Sequence, residues 1–188
     1  MPRSMARRLA VAVLALAAVL ALSACGNKPK ITTEGETEGS YLNVGPMVYQ
    51  VQISRQLNPS DTEDMSYLEG IPPALSRLPT GQTWFGIFIL ARNETDNDQF
   101  AASNFVIEDT QDHVYHPIPQ SPRNPFTYHA GVVPAGKSIP KIDSVAQQGV
   151  IGGSLVLFKL PLTTLDNRPL ELVVTDQLNH TGRVKLDV

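Results

Sequence analysis

The chain has 188 residues, 42% of them hydrophobic, with 15 Lys+Arg against 18 Asp+Glu for a formal charge of −3, and a single cysteine, Cys25. One cysteine excludes an intramolecular disulfide and any Cys-based zinc or iron–sulfur centre. The acidic balance argues against nucleic acid or anionic lipid as a partner.

In chain order, the first segment reads as an address. Arg3, Arg7 and Arg8 precede an uninterrupted apolar run from Leu9 to Leu22. As a helix that run spans only about 21 Å, short of a hydrocarbon core of about 30 Å, so its length and flanks suit a secretion signal over residues 1–24 and not a membrane span. Leu22-Ser23-Ala24-Cys25 then resembles the lipobox of bacterial lipoproteins. The resemblance implies attachment of a diacylglycerol to Cys25, cleavage before it, and a membrane-held protein on the extracytoplasmic face, periplasmic or extracellular. The alternative is an ordinary signal peptide cut near Ala24 that leaves an idle thiol. Removing residues 1–24 takes away three arginines and no acids, which moves the formal charge from −3 to −6. Attachment is therefore expected to come from the lipid, since two or more acyl chains suffice without a basic patch.

Residues 25–42 are polar and rich in Gly, Thr and Glu, the composition of a flexible tether. The remainder, 43–188, suits one domain. Met47–Ser54 alternates Tyr49, Val51 and Ile53 against Val48, Gln50 and Gln52, the period of a half-buried strand. A long excursion, 55–83, follows, with one helical turn expected near Asp64–Glu69. Trp84–Arg92 is apolar on both faces and reads as a central strand covered on either side. Shorter strands are expected at Phe105–Asp109, Val114–Ile118, Gly153–Leu160, Pro169–Thr175 and Arg183–Val188, with a second proline-rich excursion over 117–131. Turn residues punctuate them, and no long amphipathic helix competes. The pattern is that of an all-β, Ig-like antiparallel sandwich of seven to eight strands.

Several of these pieces, in this order, resemble the small Ig-like sandwich of secreted bacterial lipoproteins known as DUF4352. They are the strand Val48–Ile53, the strand Trp84–Arg92 running into Asn93-Glu94-Thr95, the hairpin Asn104–Asp109 with Asp112–Tyr115, the turn Val133–Lys137, the strand Gly153–Pro161, and Leu170–Val174. The longer 55–83 excursion and the lack of a glycine in the 109–114 turn depart from that pattern. The resemblance implies a fold and an envelope location but no particular reaction.

Candidate sites are few. Trp84, Phe85, Phe88, Phe105 and Phe158 are expected in the core. Tyr67, Leu68, Ile71, Leu75 and Leu78 have no strand pattern to explain them; they either cover one end of the sandwich or, with Phe126 and Tyr128, form an exposed recognition patch for an envelope protein. His113, His116 and His129 share one region, but strand residues three apart face opposite sides, which disfavours a shared metal ion. The loop 93–98 (Asn-Glu-Thr-Asp-Asn-Asp) offers oxygens at alternate positions without the glycine and closing glutamate of an EF-hand. No Gly-x-Ser-x-Gly elbow, phosphate-cradling loop or carboxylate pair beside a sugar platform occurs. A non-catalytic interaction or accessory module without cofactor is therefore expected, with a metal- or small-ligand-binding lipoprotein as the second reading.

Overall fold

Residues 32–188 are described by the structure, a computed structural model, and they form two facing β-sheets. Strands are numbered along the chain. The front sheet contains β2 (Tyr41–Val44), β3 (Met47–Leu57), β4 (Gln82–Asn93) and β10 (Ser154–Pro161), in the antiparallel order β10-β4-β3-β2. A short β9 (Ser138–Ile139) continues the β10 edge by pairing with Ala91 and Arg92. The back sheet contains β1 (Glu34–Gly35), β6 (Asn104–Glu108), β7 (Val114–Tyr115), β11 (Glu171–Thr175) and β12 (Thr181–Lys185), ordered β1-β12-β11-β6-β7. Only β1 lies parallel to its neighbour. A ribbon of β5 (Gln99–Phe100) and β8 (Val132–Val133) stands beside them. The chain is thus an all-β sandwich, as its alternation dictates.

The core lies between the sheets because opposite residues of paired strands share a face. Phe85, Ile87 and Ile89 of β4 meet Phe158 and Val156 of β10, and Tyr49 and Val51 of β3, on that inner side. Phe105, Ile107, Leu172, Val174 and Val184 close it from the back sheet. Two expectations are corrected here. Trp84 and Phe88 belong to a second cluster on the outer face of the front sheet, with Leu57, Tyr67, Leu155 and Leu157. Ile53, expected beside Tyr49 and Val51, is displaced by a bulge between Val51 and Ile53; it pairs with Phe88 on the outer face and is 36% exposed. One inserted residue reverses the inward and outward alternation for the rest of the strand.

The expected tether is corrected as well. Residues 25–31 lie outside the described residues, but 32–42 are stitched to the sandwich. Thr32 bridges Leu42, and β1 runs along Arg183 and Val184. The Glu38 carboxylate accepts from the Ser54 hydroxyl, from Ser54 N (3.1 Å) and from Asp187 N (3.2 Å). Main-chain pairing and a single carboxylate order this stretch, so no apolar periodicity advertises it.

Candidate functional site

The two excursions form a cover over the outer face of the front sheet. Helix α1 (Thr62–Tyr67) starts where the Asp61 side chain accepts from Glu63 N and Asp64 N, satisfying two donors the helix leaves unpaired. Its buried Asp64 accepts from both Arg55 terminal nitrogens (2.5 and 3.1 Å) and from Asn58 N (2.7 Å). Tyr67 is 2% exposed, and its ring stands edge-on to Phe88 and Phe126 at centroid distances of 4.9 and 4.8 Å. Burial, with the Glu63 carboxylate its hydroxyl donates to at 2.9 Å, pushes the Tyr67 phenol up to about 12.

The second excursion locks onto the first. Asn124, itself buried, donates to the carbonyls of Ser66, Tyr67 and Glu69 (3.2, 3.3 and 2.9 Å). Gln120 Nε2 donates to Tyr67 O (2.7 Å), and Ser121 N to Gly70 O (2.8 Å). From β10, Lys159 Nζ donates to Leu75 O and Arg77 O, both at 2.7 Å, while sitting 4.7 Å from the centre of the Trp84 ring. Of the two readings of these residues, cover and exposed patch, the structure takes the cover, laid over the outer face of the front sheet instead of one end of the sandwich. Tyr67 is buried, while Leu68 and Phe126 are half-buried against the second cluster. Tyr128 is half-buried elsewhere, edge-on to Phe105 at 4.9 Å with its hydroxyl donating to Ala102 O at 2.9 Å. Apolar residues without a strand pattern were needed to cover Trp84 and Phe88, which a two-layer core leaves facing outward.

What remains open beside this cover is a cleft of about 330 Å³ along the edge of β10. Phe105, Ile118 and Leu157 contribute its apolar walls; Ser103, Thr127 and His129 contribute polar groups. No lysine, arginine or carboxylate lines it. Such a lining suits an apolar or neutral hydrogen-bonding group better than an anion.

The histidines are dispersed in role. His113 Nδ1 lies 3.0 Å from Asp109 Oδ2, whereas His116 and His129 are exposed. Among the described residues, no group of three His, Cys, Asp or Glu converges on a common point. In the 93–98 loop, buried Asn93 donates to Asn97 O (2.7 Å) and Val133 O (2.8 Å), and its Oδ1 accepts from Thr95 N (3.0 Å) and Thr95 Oγ1 (2.8 Å). That amide serves as the internal scaffold of the turn.

A motif that sequence reasoning passed over joins the two hairpins of the back sheet. Asp109-Thr110-Gln111-Asp112-His113 and Asp176-Gln177-Leu178-Asn179-His180 adopt the same turn. In each, one carboxylate oxygen accepts the main-chain N–H groups two and four residues on, and the other meets the histidine Nδ1. The fourth residue of each takes positive φ, 62° at Asp112 and 66° at Asn179. An ionised carboxylate only accepts, so Nδ1 is the donor in each pair. The shared signal, Asp at the first position, Asp or Asn at the fourth and His at the fifth, was legible.

Residues 1–24 and Cys25 lie outside the described residues, and no helix among the described residues is long and apolar enough to cross a membrane. No family model matches the chain, so the DUF4352 resemblance gains no support there, and no curated protein matches it. Among solved structures, the yjhA protein of Bacillus subtilis is similar at 12% identity and a TM-score of 0.48, over 81% of this chain and 99% of that one. A candidate lipoprotein of Bacillus subtilis, ycdA, is similar at 12% identity and 0.47, over 81% of this chain and 39% of that one. An uncharacterized β-sandwich protein of Clostridium difficile 630 gives 11% and 0.45, over 86% of this chain and 99% of that one.

Proposed function

We propose that the chain is an envelope lipoprotein, held to the extracytoplasmic face of a membrane by lipid on Cys25, whose sandwich acts as a non-catalytic interaction or accessory module. The observation that carries this reading is the placement of the only cysteine. It closes Leu22-Ser23-Ala24-Cys25 after a basic and apolar leader, seven peptide steps before Thr32 pairs into the sandwich. Residues between the anchor and the described fold are few. The neutral, apolar-walled cleft beside β10 is the surface this reading assigns to a partner segment. The cover formed by 55–83 and 117–131 holds the far wall of that cleft through Asn124 and Gln120.

Mass spectrometry of the mature N-terminus tests the anchor. Diacylglycerol on Cys25 and release of Cys25→Ser into the soluble fraction are expected, and an unmodified thiol on a chain retaining residues 1–24 would defeat the reading. A photo-crosslinker at Thr127 should capture a defined envelope protein, and one at the remote Asp166 should not. A chelator-reversible thermal-shift gain with zinc, copper or calcium would instead favour the metal-binding reading.

A further inference from the structure

The structure fixes which end of the sandwich the chain enters. Thr33 O accepts from Arg183 N at 2.8 Å, and Thr33 lines one shallow depression with Gly45, Pro46, His180 and Thr181. This is the end where β3 begins opposite the last residue of β4, Met47 against Asn93. The turn before β9 is at the same end, since Lys137 O accepts from Asn93 N at 2.9 Å. Val132 (61% exposed) and Ile142 (64%) lie beside the turn before β9, and Leu178 (75%) lies in the Asp176–His180 turn, whose His180 lines the depression at Thr33. Val132 and Ile142 line an apolar groove of about 330 Å³ with Lys137 and Lys141.

Resting on the lipid anchor proposed above, we infer that this end of the sandwich docks on the bilayer that holds Cys25, through Val132, Ile142 and Leu178 flanked by Lys137 and Lys141. The chain length supports it. Seven peptide steps from Cys25 to Thr32 extend to at most about 25 Å. The groove lies three strand spacings across the front sheet from β2, about 14 Å. The leash therefore holds this end within reach of the headgroups. Apolar residues bracketed by lysines suit the interface, where the stems lie along apolar surface and the ammonium groups meet phosphates. Glu94, Asp96 and Asp98 share this end and oppose an anionic surface, so charge alone does not bind it. Tethering raises the local concentration of bilayer enough for a contact of a few side chains to form.

The test uses the lipidated full chain in vesicles of phosphatidylethanolamine and phosphatidylglycerol. With Cys25 acylated, a single new thiol at Val132→Cys, Ile142→Cys, Leu178→Cys or the remote Asp166→Cys takes a spin label. The first three labels should prefer oxygen over a water-soluble nickel complex, as at the acyl–headgroup boundary, while the Asp166 label stays aqueous. In V132D/I142D the vesicles should still carry the protein, but the label at 178 should return to water. Aqueous labels at 132, 142 and 178 on acylated, vesicle-bound protein would overturn the docking and leave the anchor standing. Labels immobilised away from both reagents would mean that a second copy of the chain covers the patch, and would also overturn it. An unmodified Cys25 with protein left free of the vesicles would remove anchor and docking together.

Discussion

The Asp109 and Asp176 turns share a backbone path and a histidine partner, yet one is welded into the sandwich and the other stands at its rim. The Asp109 side chain is fully buried and accepts five hydrogen bonds, from Gln111 N, His113 N, His113 Nδ1, Tyr115 Oη and Asn167 Nδ2. Tyr115 is in turn held by the buried Thr164 hydroxyl at 2.7 Å. The Asp176 side chain, 8% exposed, accepts only from its own turn: Leu178 N, His180 N and His180 Nδ1. The five-residue motif supplies the turn in both places; tertiary donors decide how much stability hangs on it.

The largest effect should follow from removing the buried hub. Asp109→Ala strands the Tyr115 hydroxyl, the Asn167 amide and two main-chain N–H groups, and should cost about 3 kcal/mol or more. Asp176→Ala exposes its orphaned donors to water and should cost about 1 kcal/mol. Urea unfolding of both variants measures the gap; equal losses would show that the tertiary donors add nothing to the turn.

A second substitution probes the rim turn from outside. Gly45 has φ +58°, and a Cβ there would lie 2.3 Å from Asp176 Oδ2 and 2.9 Å from His180 Nδ1. Gly136 has a similar φ of +67° with nothing within 4 Å. Gly136→Ala should cost only the backbone strain, about 1 kcal/mol, while Gly45→Ala adds displacement of the Asp176 turn and should cost about 2–3 kcal/mol. Similar melting shifts for the two would mean that the Asp176 turn yields without resistance.

These turns also mark where sequence reading succeeded and failed. β4 and β10 were legible because long apolar runs have one physical explanation. The parity of β3 was not, because a bulge between Val51 and Ile53 leaves no mark in a hydropathy pattern. That β4 is covered on both faces was legible, but the division of its aromatics was not: Phe85 belongs to the core between the sheets, Trp84 and Phe88 to the outer cluster. The patch at Tyr67, Leu68 and Phe126 faced the same ambiguity, since unpatterned apolar residues look alike whether they meet Phe88 or a partner. β1 was hidden because its partner, β12, lies about 150 residues away and its order comes from main-chain bonds. The Asp-x-x-[Asp/Asn]-His repeat is visible in the sequence at 109–113 and 176–180.

Acid titration sharpens the contrast further. Burial alone would raise the Asp109 carboxyl, but the His113 ring, the Asn167 amide and the main-chain donors outweigh it and hold the group well below the usual range. Asp176 is lowered as well, against its own burial, by His180 and the amides of its turn. For both, the folded value lies below the unfolded one, about 3.9, so their contribution is present above that pH and is lost as pH falls through the folded value. Asp109→Asn should flatten the loss of stability between about pH 5 and pH 2 more than Asp176→Asn does. An unchanged slope in Asp109→Asn would remove that carboxyl from the linkage.

The smallest effect concerns the imidazoles, which look like the centre of each motif. His113 and His180 side chains are 61% and 53% exposed, and each gives its carboxylate one of several donors. A solvent-facing ring exchanges its hydrogen bond for one to water at little net cost, so His113→Ala and His180→Ala should each lose less than about 1 kcal/mol. His180→Ala should lose the larger share of its turn's stability, because three donors hold Asp176 where five hold Asp109. Replacing either ring with Gln, which can still donate to the carboxylate, should recover most of the loss. If Ala at 113 proved as damaging as Asp109→Ala, the imidazole and not the buried carboxylate would be the element that fixes the turn, and the ordering of the two motifs by tertiary donors would be wrong.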